Sequence, residues 1–297
     1  MSVSVVLESC GSLLEGPHWD DDGQCLYFID YIKGAVHRWN PGAQKHEKRE
    51  IDDNVGCVVT TTTPGLLLIN GKHRFLSLDW EGGVATPITE IDQDRPENHL
   101  NDGKCDARGR FWTGTFWPLE TPTKVKPKQG SLFCLDTDRS VTKHVDGVDI
   151  SNGLCWSQDN QTMYYIDSLS GKVDAFDYCL ETGKLSNRRP AIPVPEEEGF
   201  PDGMTMDTEG MVWVACFDGS KVNRYNPNTG EKLQTVRFPC SYVTSCCFGG
   251  RKLDTLYVTT SKDGLSKEKL QEQPLAGSLF KVTGLGVRGL PANKYAG

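Results

Sequence analysis

Long apolar runs are missing from this 297-residue chain, and with them any helical membrane span. No long stretch carries apolar residues at i, i+3, i+4 and i+7, so amphipathic helices are not its building material. Basic residues are the minority: 32 Lys and Arg against 40 Asp and Glu leave a net charge of −8. That balance argues against a nucleic-acid or anionic-membrane surface. The start, Met1 to Glu8, lacks a basic segment and a cleavage site, and reads as a first strand rather than a secretory leader. The eleven cysteines are odd in number, scattered, and never spaced C-x-x-C. They read as buried reduced thiols of a cytoplasmic protein, not as a disulfide framework or zinc site. G-x-S-x-G, H-E-x-x-H, P-loop and EF-hand patterns are all absent, so serine-hydrolase, zincin and nucleotide chemistries have no footing here.

What the chain has is punctuation. Its 31 glycines and 16 prolines break it into short strand-like runs throughout. A small residue opens a recurring phrase at Gly16, Gly56, Gly103, Gly153, Gly203 and Ser245, at intervals of 40, 47, 50, 50 and 42 residues. Each phrase continues into an aromatic-rich strand, such as Tyr27–Asp30, Tyr164–Asp167, Val212–Ala215 or Leu256–Thr259. A further strand follows, as in Val36–Trp39, Leu132–Leu135, Val173–Phe176 and Val222–Tyr225. Asp22-Gly23, Arg108-Gly109, Asp159-Asn160, Glu209-Gly210 and Thr229-Gly230 suit tight hairpins. The second unit is the most degenerate, with Thr60–Thr63 read as strand and Pro64-Gly65 as turn. Six units of this size predict an all-β, six-bladed β-propeller occupying residues 1–297 as one domain. Closing the ring requires Val3–Leu7 to pair with the last strand, near Ser278–Val282.

Four of the phrases begin with an oxygen-bearing side chain directly before the glycine: Glu15, Asp102, Asn152 and Asp202. Equivalent positions in a ring of repeats lie at equivalent radii. Four oxygens at one repeat position therefore converge on the axis, an arrangement that suits a hard divalent cation.

The phrases Leu100-Asn-Asp-Gly-Lys104, Asp149-Ile-Ser-Asn-Gly-Leu154, Tyr164-Tyr-Ile-Asp-Ser168 and Pro201-Asp-Gly203, with the tail from Val282, resemble the regucalcin (senescence marker protein)/gluconolactonase family. That family also holds the firefly luciferin-regenerating enzyme. The likeness runs from Glu15-Gly-Pro-His-Trp19 to Tyr295-Ala-Gly297. Ser186-Asn-Arg-Arg189 and Thr244–Gly250 match the regucalcin branch in particular. The resemblance implies one divalent cation in the channel (Ca, Zn, Mn or Mg), held by Glu15, Asn152 and Asp202. It also implies hydrolysis of a small-molecule lactone. Of the third-blade pair, the family's contact falls on Asn101, with Asp102 supporting it. Asp202 is expected to be the general base as well as a metal ligand.

The chain departs from the family pattern around the substrate. His99 stands where the family has an Arg, exchanging a permanently charged fork of donors for a titratable ring. The family's lid Glu falls on Leu119 in ungapped register and on Glu120 after a shift of one. Phe116-Trp117-Pro118 make the rim more apolar, and the lysines of the segment to Gln129 read as solvated. Expected substrate contacts are thus His99, Asn101, Asp102 and Glu120. His18 is expected beside the site, and Glu196–Glu198 as a solvated loop before Pro201. The expected activity is metal-dependent lactonase. The alternatives are a calcium-binding regulator with little catalysis, or a luciferin-regenerating or phosphotriesterase-like hydrolase. No nucleic-acid or membrane partner is expected, and the protein should be a monomer or weak dimer.

Overall fold

The runs between turn residues form strands in a computed structural model, which describes residues 1–118 and 126–297. The N-terminal strand β1 (Ser2–Leu7) precedes a first sheet of β2 (Leu14–Asp20), β3 (Cys25–Asp30), β4 (Ala35–Asn40) and β5 (Lys45–Glu50). The second sheet is β6 (Cys57–Thr60), β7 (Leu66–Asn70), β8 (Arg74–Asp79) and β9 (Val84–Glu90). The third is β10 (His99–Cys105), β11 (Phe111–Phe116), β12 (Gly130–Leu135) and β13 (Val141–Val148). The fourth is β14 (Ser151–Trp156), β15 (Thr162–Asp167), β16 (Lys172–Cys179) and β17 (Lys184–Pro193). The fifth is β18 (Phe200–Met206), β19 (Val212–Phe217), β20 (Lys221–Tyr225) and β21 (Lys232–Arg237). The sixth takes β22 (Val243–Gly249), β23 (Thr255–Thr260) and β24 (Leu279–Thr283), and β1 completes it as the outer strand. A short helix, α1 (Lys267–Glu272), sits between β23 and β24, capped by Ser266 Oγ accepting from Lys269 N.

Six four-stranded antiparallel sheets in this order are the six blades the repeat predicts. The ring closes as expected, with Val3 opposite Val282 and Val5 opposite Phe280. In the second blade the strand covers Cys57–Thr60 rather than Thr60–Thr63, and Thr61–Gly65 form the turn, because Thr61 Oγ1 accepts from Thr63 N at 3.2 Å and Thr63 O from Leu66 N at 3.2 Å. Hairpin residues Gly109, Asn160, Gly210 and Gly230 all adopt positive φ, as their turns require.

The core is not within blades but between them. Each of the six apolar clusters mixes side chains from two neighbouring sheets. One joins Trp213, Val222 and Val236 of the fifth blade to Phe248, Val258 and Phe280 of the sixth. Another joins Tyr27 and Ile29 of the first to Leu67 and Trp80 of the second. Burial of these faces is what fixes the blades around an axis and the inner strands β2, β6, β10, β14, β18 and β22 along it.

Candidate metal and substrate site

The inner strands run in step. A Cβ on Gly153 would lie 2.6 Å from Asp202 O and 2.7 Å from Met204 N, so the fourth and fifth blades meet at this rung with no room for a side chain. At the same rung of the first blade Gly16 has φ +52°, a conformation that favours glycine.

Pairing between inner and second strands breaks at one rung. Register shifts fall between Glu15 and His18, Leu100 and Gly103, Ser151 and Leu154, Pro201 and Met204, and Val243 and Ser245. Asn101, Asp102, Asn152 and Asp202 sit inside these breaks, and Glu15 at the edge of one. A bulge re-aims side chains that the ladder would otherwise send alternately to its two faces. Neighbouring blades hold the rung in place. Thr244 Oγ1 donates to Leu14 O at 2.6 Å, Asn70 Nδ2 to Asn101 O at 2.6 Å, and Asn101 Nδ2 to Ser151 O at 2.7 Å. Two aspartates at the ends of second strands tie down the approach segments. Asp30 accepts from Ser12 N and Leu13 N ahead of Glu15, and Asp167 from Asp149 N and Ile150 N ahead of Asn152. Asn70, Thr244 and these two aspartates position the site without any sequence motif to mark them. Only the matched Ile-Asp endings of Tyr27–Asp30 and Tyr164–Asp167 hinted at a shared duty.

Glu15, Asp102, Asn152 and Asp202 are all buried, at 5–8 % exposure. Burial, then the charges of Asp202 and Asp102, push the Glu15 carboxyl well above the carboxylate range. Burial, then Asp102, does the same to Asp202, while the Asn152 side chain beside it offsets part of the shift. Asp102 is raised by burial, partly countered by Lys104 and by the Gly103 N–H it accepts at 2.8 Å. The structure thus gathers three carboxyls that feel one another's charge. Gly16 N donates to Glu15 Oε2 at 3.1 Å, and Asn152 Nδ2 donates to Ser168 Oγ at 3.1 Å. Among the described residues Asn152 Oδ1 and Asp202 Oδ1 are buried with no hydrogen-bond partner. Unpaired buried oxygens beside mutually repelling carboxyls are costly unless a cation joins them. Among the described residues no group of three His, Cys, Asp or Glu forms a ready-made metal cage. A set of two carboxylates and one amide is an open oxygen site that leaves the remaining positions to water and substrate.

His99 lies at the start of β10, opposite Phe116 of β11, and Tyr31 OH is 2.7 Å from its Nδ1. The Tyr31, His99 and Phe116 rings pack with centroids 6.1–6.4 Å apart. Burial, then Lys72, lowers the His99 pKa to about 4, so the ring is neutral at pH 7. Tyr31 was not expected here, since it follows the second strand of another blade. Glu120, and Leu119 with it, lies outside the described residues. Lys128 is not simply solvated: its Nζ pairs with Asp149 Oδ2 at 2.8 Å.

Two local expectations are corrected. His18 does not stand with Glu15. It lies further along the channel, where its Nε2 accepts from Thr60 N at 3.2 Å, because the bulge turns the strand between them. Of the acidic run, Glu196 and Glu197 are exposed but Glu198 is half-buried, bonded to Lys221 at 2.7 Å and to Lys232 and Asn223. Burial raises its carboxyl, yet those donors outweigh it and hold the pKa at about 2.

Residues 13–262 match the family model described as the SMP-30/Gluconolactonase/LRE-like region. The chain belongs to this family. Among its relatives, regucalcin of Gallus gallus is 45 % identical over 298 residues, covering 99 % of each chain. Regucalcin of Homo sapiens is 43 % identical over 288 residues, covering 97 % of this chain and 95 % of its own. A solved luciferin-regenerating enzyme is 35 % identical with a TM-score of 0.90, covering 99 % of this chain and 98 % of its own. Family membership agrees with the blade count and with the inner-strand phrases that suggested it. Among the described residues no helix is long and apolar enough to cross a membrane.

Proposed function

We propose that the protein is a divalent-metal-dependent lactone hydrolase of the gluconolactonase type. The observation that carries this reading is the meeting of Glu15, Asp202 and Asn152 at one rung, with Asn152 Oδ1 and Asp202 Oδ1 buried and unpaired. Glu15, Asn152 and Asp202 would hold the cation, as Ca, Zn, Mn or Mg, since all-oxygen sites discriminate weakly among these. The cation, when bound, would polarise the lactone carbonyl and ease deprotonation of water.

The chain's own residues carry the rest. Asp202 accepts the proton of the attacking water as its oxygen joins the carbonyl carbon. The acyl carbon–ring oxygen bond then breaks, the same proton passes to the departing ring oxygen, and a hydroxy acid leaves. Asn101 and Asp102 line the substrate side of the third blade. The neutral His99 and the rings of Tyr31 and Phe116 form an apolar shoulder there. That shoulder favours a lactone with an aromatic or less polar body over a free polyol. A cytoplasmic location and a monomer or weak dimer complete the reading, the former fitting eleven free cysteines.

A calcium-binding regulator with little catalysis is the second reading, favoured by the His99 substitution and by the regucalcin names of its relatives. A panel separates these. Gluconolactone, dihydrocoumarin and an organophosphate are assayed with Ca, Mg, Mn and Zn. The lactonase reading expects dihydrocoumarin hydrolysis that EDTA abolishes and added metal restores. A silent panel together with tight calcium binding supports the regulator. Organophosphate turnover alone supports the phosphotriesterase-like alternative.

His99→Arg tests the pocket. A guanidinium restores charge-assisted donors for sugar hydroxyls, and KM for gluconolactone is expected to fall about tenfold. A KM that stays put or rises would remove His99 from the substrate pocket.

A further inference from the structure

The channel has a second mouth. Past the carboxyl rung, the far ends of the inner strands and the C-terminal segment Leu290–Asn293 enclose a cavity of about 200 Å³. The segment is anchored across several blades. Gly289 N donates to Leu253 O at 2.7 Å, Asn293 Nδ2 to Cys105 O at 3.2 Å, and Tyr295 N to Thr60 O at 2.9 Å. From Glu15 to His18 the paired strand advances only from Ile29 to Tyr27, roughly 7 Å, so a ligand here lies beyond the carboxyl rung.

The lining has an unusual balance for so acidic a chain. Its single charged side chain is Lys104, half-buried, with no ion pair among the described residues. Lys104 Nζ donates to Met204 O at 2.7 Å, and an ammonium has two further donors. Among the described residues no carboxylate lines the cavity, and His18, held as an acceptor by Thr60 N, adds no charge of its own. Trp156 Nε1 is buried without a partner among the described residues. The walls otherwise combine flat or apolar groups, including Trp19, Trp156 and Phe248, with the neutral polar side chains of Ser157, Gln158, Asn160, Thr205 and Asn293. The volume equals about seven waters, the scale of a single ring with one acidic group.

We propose that this far mouth binds a small organic anion, a monocarboxylate on a flat apolar body, through the Lys104 ammonium. Its recognition needs no contact with Glu15, Asn152 or Asp202 and does not rest on the hydrolase reading, although Lys104 feels the charge of Asp102. The neutral amide of the same shape should be rejected, because the ammonium would lose its counter-charge on desolvation.

Titration calorimetry on the full chain, with benzoate as probe and benzamide as its neutral match, tests this. Benzoate should bind, with benzamide at least about tenfold weaker. Lys104→Met should weaken benzoate at least about tenfold, while Asp202→Asn and EDTA should change it by less than about threefold. Ala292→Trp, at an exposed position of the tail, should weaken it by crowding the cavity, and does not depend on Lys104→Met folding. No benzoate binding up to about 10 mM, equal binding of benzamide, or loss of binding in Asp202→Asn with both mouth variants unaffected would each overturn the proposal.

Discussion

Asp202→Ala is expected to lower lactone hydrolysis on the order of a thousandfold or more, the loss of a general base compounded by loss of a metal ligand. Its effect on stability should have the opposite sign when metal is withheld. Burial and Asp102 raise the Asp202 carboxyl, and Asp202 in turn raises Glu15. A carboxyl whose folded pKa is raised stabilises the fold at low pH and opposes it as pH climbs through that raised value. Above that window, in EDTA, the wild type carries three mutually repelling buried carboxylates where the variant keeps two. The variant should therefore melt at or above the wild type in EDTA, and should lack the calcium-dependent rise in melting temperature expected of the wild type. Calcium binding to the wild type should release protons and strengthen with pH, because ionised carboxylates are the binding form. Calorimetry in two buffers of different ionisation enthalpy reads that release directly. Near-normal turnover in Asp202→Ala would refute its role as base. Calcium stabilisation that survives the substitution would refute its role as ligand.

Deleting residues 1–8 is expected to lower the melting temperature by about 10 °C or more. β1 is the outer strand of the sixth blade, paired to β24 along five positions. Val3 and Val5 pack on the core between the fifth and sixth blades, and Val6 and Leu7 on that between the sixth and first. Four partly buried side chains are worth on the order of 4–6 kcal/mol, a large share of the stability of a typical domain. At about 2 °C per kcal/mol for a chain of this length, the shift is readily measured. The loss also leaves β24 with an unpaired edge. An unchanged melt would mean that the ring holds without its N-terminal clasp.

Much of this architecture could be read from residue order because a propeller repeats itself. Spacing alone placed the six inner strands, since each opening small residue falls on an inner strand or, for Gly56, one residue before it. Closure followed from the need to cover an edge. Repeat position also singled out Glu15, Asp102, Asn152 and Asp202, the groups that lie buried together. What could not be read were contacts between blades. Tyr31 reaches His99 from two blades away, and Asn70 binds backbone on both sides of its rung. Such pairs share no spacing rule, because interblade packing rather than local pattern brings them together. His18 was misplaced for a related reason: a bulge changes which way a residue three positions on will face, and nothing in Glu15-Gly-Pro-His18 announces its geometry. Glu198 looked like solvent-facing charge until the lysines of the fifth blade arrived beside it.

The interrupted rung has a consequence for how such a barrel-like ring can change its chemistry. Five of the six inner strands already forgo regular pairing there. Exchanging a side chain at that height therefore disturbs little of the backbone scaffold, and the blades act as interchangeable sockets around a shared centre. Residues four positions further on, such as Trp19 and Trp156, instead pack between sheets, so novelty should accumulate at the sockets and constancy beneath them.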